Sequence, residues 1–507
     1  MGDTDAQLLI AQYYANGNRV DEDDGEAARW YERAAEAGRP EAGRELARLY
    51  AAGGPGLDPD PARALEWTHR AADGGDLAAQ LELARRYRDG DGVAEDPAQA
   101  AGYLLRAVEM GDAEAQFALG KLYASGRGVM LDFGEAARLF ELAANQDHAD
   151  AQNHLGFLYA TDAGPPRDHA VAASWFEKAA SRGHLEAQLN LGLLYERGFG
   201  TEEDPGRSLG WILRAAEAGL AEAQFHAARR LGAADGSATP EALEWSRRAA
   251  EQGHAGAALQ LAGWYEHGRG VAQDAEQSLR WYRVAAESGG ADAQYRIATW
   301  LTEHGAQADT DEAFGWLERA AKQGHVEAMR ALASSYEKGT GVEANPQQAV
   351  MWYERASDRG SAQAAYDLGF AYLRGVITGS KNTEAAIPWI RKAADGGVPI
   401  AQLALSIMLF KGDGVEVDVE QAVQWLRRAA DGGLPLAQLE LGRVLERGGP
   451  VPVDLVDAHR WYATAAARGQ AGAAAERDRL AKQLSPAQRA RSEALLREWR
   501  ARDEPAG

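Results

Sequence analysis

Four histidines, His148, His184, His254 and His325, each stand three residues before an alanine at one recurring place in the chain. Imidazoles in such a series could ligate zinc or move protons. Zinc, however, needs its ligating nitrogens about 2 Å from the ion, while equivalent places on stacked helical units lie about 10 Å apart. The four are therefore read as loop or capping residues. The stretches "SGRGV", "RGFG", "HGRGV", "KGTGV" and "KGDGV" have the look of glycine-rich phosphate cradles. A phosphate loop follows a β-strand, whereas each of these follows a helical pattern, so they are read as turns. "DGDGVAED" at 89–96 has two acids of a calcium loop but lacks the regularly spaced ligands and the closing glutamate. There is no Gly-x-Ser-x-Gly elbow and no His-Glu-x-x-His pair, and without cysteine there is no thiol nucleophile, thiolate metal site or disulfide. No catalytic residue, no metal and no cofactor is expected, and the chain is read as a non-enzyme.

Composition narrows the partner. The 507 residues are 46% hydrophobic and 26% charged, which fits a soluble, folded chain, and no run is long and apolar enough for a bilayer span. The formal net charge of -22 disfavours nucleic acid, whose phosphates need clustered Lys or Arg. The opening "MGDTDAQLLIAQYYANG" has neither a basic n-region nor an apolar h-region. The cytoplasm is the expected compartment, with the periplasm the alternative if a leader has been removed.

The elements that position these residues repeat. "WYERAAEAG" at 30–38 returns as "WYRVAAESG", "WYERASDRG" and "WYATAAARG". With its Trp as a mark, the same place is filled by Trp30, Trp67, Tyr103, Leu139, Trp175, Trp211, Trp245, Trp281, Trp316, Trp352, Trp389, Trp425 and Trp461, in steps of 34 to 37 residues. The residue three before is always Ala or Ser, and the residue four after is always Ala. These positions share one helical face, so this segment is an amphipathic helix, helix B. "DP" at 60, 96 and 204 and "NP" at 345 mark its starts, and a glycine follows it in nearly every copy. Arg or Lys late in helix B is read as a response to the helix dipole. The other half, as in "EAQFALGKLYASGRGV" from Glu114, is helix A. Its slots 2, 6, 7 and 10, counted from Glu114, are apolar or small.

These units, for example "LEAQLNLGLLYERGFGTEEDPGRSLGWILRAAEAG", resemble the Sel-one-like repeat family, relatives of the tetratricopeptide solenoids. The expected fold is an all-α, right-handed α/α superhelical solenoid of about thirteen helix-turn-helix repeats. It spans 1–484 as one array, with a C-terminal capping helix and tail at 485–507. Pro388 within "NTEAAIPWIRKAA" makes 373–389 the expected irregular joint.

The resemblance implies a bacterial adaptor or scaffold that holds a protein or peptide partner on a concave surface lined by helix A. An enzyme of the β-lactam-binding kind linked to cysteine-rich relatives is the rival. An immunity protein or effector chaperone is a further alternative. Slots 5 and 8 of helix A vary freely, and the candidate binding residues are Glu82, Arg85, Lys121, His154, Phe157, Asn190, Leu193, His226, Arg229, Asp367, Phe370 and Ile407. Slot 8 turns apolar in two adjacent pairs, Phe157 with Leu193 and Phe370 with Ile407, each expected to form a small apolar patch.

Overall fold

Helix B starts where a short acidic side chain can hold its free amides. In the computed structural model, which describes residues 4–304, 309–449 and 451–503, Asp60 Oδ1 accepts from the amides of Ala62 and Arg63 at 3.1 and 3.0 Å. Asp96 does the same for Ala98 and Gln99, and Pro61 and Pro97 occupy the first helical turn, where no donor is lost. Helix A starts the same way with Asp76 and Asp112, and with the four histidines where an acid is missing. The Nδ1 atoms of His148, His184, His254 and His325 accept from the amides of Ala151, Ala187, Ala257 and Ala328 at 3.0 to 3.3 Å. Because Nδ1 accepts, the ring proton sits on Nε2. In His148 and His184 that atom faces a carboxylate of the preceding helix A, Glu114 at 3.1 Å and Asp150 at 3.3 Å. These histidines are capping residues.

The glycine-rich loops also have a mechanical explanation. The first glycine ends helix A in the left-handed region, as Gly126 does at φ +67°, with its amide bonded to Leu122 O. The second is a spacer: a Cβ on Gly128 would lie 2.2 Å from the carbonyl carbon of Pro97, at the start of the previous repeat's helix B. Neither glycine is arranged around a ligand.

Among the described residues there are twenty-eight α-helices, and the first twenty-six pair in order into thirteen helix A–helix B hairpins. Those used below are repeat 3 (Leu77–Asp89, Pro97–Glu109), repeat 4 (Ala113–Ser125, Phe133–Ala144), repeat 5 (Ala149–Ala160, His169–Ser181) and repeat 6 (Leu185–Arg197, Pro205–Glu217). Repeat 7 has its helix A at Ala221–Leu231. Repeats 11, 12 and 13 have theirs at Ala362–Arg374, Pro399–Lys411 and Pro435–Arg447. The chain divides into two compact units, Met1–Gln252 and Gly253–Gly507.

Within each unit the core is a string of small clusters, each joining consecutive helices. Small residues set the spacing. A Cβ on Gly120 or Gly156 would meet the rings of Phe140 and Phe176 at 2.7 and 2.8 Å, so helix B's aromatic seats directly on helix A's backbone. A buried glutamine closes many of the turns between helix B and the next helix A. Gln80, Gln152, Gln188 and Gln438 donate Nε2 to the carbonyls of Ala72, Ala144, Ala180 and Ala430, eight residues back, at 3.0 to 3.2 Å. Each of these carbonyls also accepts the amide three residues on, from Gly75, Asp147, Gly183 or Gly433, so the glutamine is its second donor at the end of helix B.

The late basic residue of helix B does more than answer the dipole. Arg70, Arg214, Arg319 and Arg428 lie over the rings of Trp67, Trp211, Trp316 and Trp425, 4.5 to 4.6 Å from the centroids. This cation–π layer covers indole faces such as that of half-buried Trp211. Pro388 lies inside the helix Thr383–Asp395, which is capped by Asn382 and continues to Asp395. At the C-terminus the helix Pro486–Asp503 opens with a capping box. Ser485 Oγ accepts from Gln488 N at 3.3 Å, and Gln488 Oε1 accepts from Ser485 N at 2.9 Å. Buried Ser492 ties this helix to His459 Nδ1 at 2.9 Å.

Candidate interaction surface

Small residues at the contact between the A helices of repeats 3 and 4 leave a groove of about 990 Å³. Its floor is apolar, formed by Leu81, Ala84, Leu104, Phe117, Ala118 and Leu122, and its rim carries Glu82, Arg85, Arg88, Glu114, Lys121 and Arg127. A smaller space, of about 260 Å³, lies mainly between helix B of repeat 9 (Thr310–Lys322) and helix A of repeat 10 (Val326–Lys338), lined in part by Arg330, which stands at the slot of Phe117 and reaches Asp367 at 3.1 Å.

Four of the residues singled out from sequence meet here: Glu82, Arg85, Lys121 and His154. Arg85 is held by Glu82 and Asp91 at 3.2 and 2.8 Å, and Glu82 also pairs with Arg86 at 2.7 Å. These arginine contacts hold the Glu82 carboxyl below its ordinary range despite partial burial. Lys121 Nζ lies 5.4 Å from the centroid of the Phe117 ring and pairs with no carboxylate among the described residues. His154 packs edge-on against Phe117 at 5.1 Å and tilted against Phe140 at 5.4 Å, and its Nδ1–H donates to Asp150 O at 2.9 Å. Burial pushes its pKa below the ordinary 6.5, and nearby Lys121 pushes the same way, so the ring is neutral at pH 7.

The other candidates scatter. Phe157, one turn beyond His154, is 55% exposed. Leu193, its expected companion, instead packs half-buried against the Leu189 and Ile212 cluster, so the expected patch reduces to Phe157. Asn190 donates to Asn153 Oδ1 of the preceding helix A at 3.1 Å. In repeat 7, His226 Nε2 faces Glu222 at 3.5 Å and Arg229 covers Phe225 at 5.8 Å, both away from the groove.

In the second unit, Asp367 is bonded to Arg330 and Gln363, while Phe370 stacks on Tyr366 at 5.7 Å with Arg374 over its ring. Phe370 and Ile407 are each 42% exposed, and Ile400 and Leu436, each 43% exposed, extend the apolar series across repeats 11 to 13. Sequence reasoning missed this pair, although the signal was present. Slot 1 is acidic in most copies and apolar at Ile400 and Leu436. It also missed Phe117 and Leu81 at slot 4, where the groove floor lies.

No three His, Cys, Asp or Glu side chains converge to hold a metal among the described residues. His459 and Ser492 form a serine–histidine pair, but Ser492 is 1% exposed and no substrate can reach it. Its role is to dock the closing helix. No described helix is long and apolar enough to cross a membrane.

The repeat seen in the geometry is matched by known proteins. The Sel1 repeat profile matches thirteen times, from 4–38 to 435–470. A protective antigen present in uropathogenic Escherichia coli strains, displaying an SLR fold, is 32% identical over 93% of this chain and 94% of its own, with a TM-score of 0.66. A Sel1 repeat protein from Oxalobacter formigenes is 28% identical over 68% of this chain and 90% of its own, with a TM-score of 0.45. No curated protein matches the chain. The thirteen helical hairpins and their shared small-residue slots thus have one explanation: the chain belongs to the Sel1 repeat family, whose repeats are generally protein–protein interaction modules.

Proposed function

We propose that this chain is a non-catalytic scaffold whose helix A surface binds a protein or peptide segment through apolar anchors. The observation that carries the reading is the row Phe370, Ile400, Ile407 and Leu436 on three consecutive A helices, each large, apolar and more than two-fifths exposed. Other slots of the same helices bury comparable side chains completely, so exposure here is not a failure of packing. Exposed apolar groups gathered in one region mark interaction sites far more often than isolated ones do. The net charge of -22 supports a protein partner over a nucleic acid.

The test is retention of partners by the whole immobilised chain, compared between wild type and Phe370→Ser/Ile407→Ser. Both proteins are first checked for equal melting temperatures. Loss of a saturable partner in the variant is the expected result. Unchanged retention of every specific partner would refute the helix A assignment for this region.

A further inference from the structure

We infer that the groove between the A helices of repeats 3 and 4 binds a short acidic peptide segment, seating one apolar side chain on Phe117 and Leu122 and placing a carboxylate against Lys121 Nζ. This rests on helix A being the interaction face and adds the chemistry of the partner. Space is the first support. The groove of about 990 Å³ is nearly four times the space beside helix A of repeat 10, and it reaches the upper end of ordinary ligand sites. Its floor is apolar, so an aliphatic or aromatic side chain removes apolar surface from water there without displacing a bonded polar group.

Charge is the second support. Arg85 is paired with Glu82 and Asp91, Arg88 with Asp89 and Arg127 with Glu95, while Glu114, two turns from Lys121, accepts a hydrogen bond from His148 Nε2. Each of these rim arginines has an internal counter-ion. Lys121 has only the face of Phe117. A ligand carboxylate would therefore gain an ion pair beside an apolar wall without breaking one, and the lower local dielectric strengthens that pair. A basic segment would face Lys121 uncompensated. The chain's overall negative charge does not decide the matter, because repulsion from distant exposed acids is largely screened beyond about 8 Å at physiological salt.

The test is to pan a phage-displayed library of random dodecapeptides against the whole chain at physiological salt. Synthetic copies of the enriched sequences are then titrated into wild type, Lys121→Glu, Ala118→Trp and Phe370→Ser, each checked for an unchanged melt. The expected sequences carry a Leu, Phe or Trp flanked by Asp or Glu. Their affinity should fall by about tenfold or more with Lys121→Glu, where a buried-edge ion pair becomes a repulsion, and with Ala118→Trp, which fills the groove. Phe370→Ser should leave it unchanged. If Ala118→Trp does not fold, the exposed Lys121→Glu decides alone. Basic or neutral consensus sequences, no enrichment, or binding indifferent to Lys121→Glu would each overturn the inference. Binding lost only with Phe370→Ser would overturn it while leaving the helix A reading standing. Binding indifferent to all three variants would count against both.

Discussion

The histidines that invite a zinc site are better described as acceptors. His184 Nδ1 takes the amide of Ala187 at 3.2 Å, the same bond that Asp112 makes to Ala115 two repeats earlier. His184→Ala should cost about 1 kcal/mol, the usual loss for an N-cap, while His184→Asn should keep most of it. Urea melts of the two variants check this, and equal losses would show that the cap bond is not what the ring contributes. Gln188 is a second residue with one structural job. Gln188→Ala removes one of two donors to the Ala180 carbonyl, which keeps the amide of Gly183 at 3.0 Å, and should cost about 0.5 to 1.5 kcal/mol. Denaturant midpoints within error of wild type would contradict that assignment. Protonation is a third matter at this scale. Burial depresses both His154 and His459 below the ordinary 6.5. Between the depressed and ordinary values the unfolded chain binds more protons than the folded one, so stability is complete above about pH 6.5 and falls as the pH drops below it. The closing helix, joined to His459 through Ser492, should lose hydrogen-exchange protection at pH 5.5 relative to pH 7.5 after correction for intrinsic rates. His459→Gln should flatten that difference, and its persistence in the variant would assign it to other groups.

At the scale of the element, the sequence revealed what is local and periodic. The Trp marks, the alanines three before and four after, the Asp-Pro starts and the Gly stops each depend on residues within one helix and its ends. These were readable without a structure. The buried glutamine latch was written just as plainly at 80, 152, 188 and 438 but passed unread, because its partner carbonyl belongs to the previous helix. The arginine over Trp67, Trp211, Trp316 and Trp425 was likewise visible in its i, i+3 spacing, yet the dipole explained the charge and the ring went unnoticed. Phe157 and Leu193 show the harder limit. They occupy the same slot, but Leu193 finds the Leu189 and Ile212 cluster beside it while Phe157 stays in solvent. The groove at repeats 3 and 4 is illegible for the same reason, since a cavity is a difference between two helices' side chains and belongs to neither. Helix-to-helix fit can be tested at Gly156. Its Cβ would stand 2.8 Å from the Phe176 ring, so Gly156→Ala should overpack the contact by about 1 to 3 kcal/mol. Because solenoid repeats couple chiefly to neighbours, hydrogen exchange should rise in repeats 4 to 6 and stay near wild type in repeats 11 to 13. A uniform rise along the chain would contradict nearest-neighbour coupling.

For the whole molecule, the repeated frame and the varied surface have separate causes. The small and aromatic slots are fixed by packing, so copies agree there. Slots 1, 5 and 8 of helix A are released from that demand, and their large apolar residues are what a partner could use. Loops are the competing surface, with Val417 and Val453 59% and 57% exposed in the same unit as Phe370 and Ile407. The most direct measurement is quantitative mass spectrometry of proteins retained by the immobilised whole chain, run on wild type, Phe370→Ser/Ile407→Ser and Val417→Ser/Val453→Ser at matched thermal stability. The account predicts that a partner saturably retained by wild type is lost from the helix A variant and kept by the loop variant. Retention by the helix A variant with loss from the loop variant would contradict it.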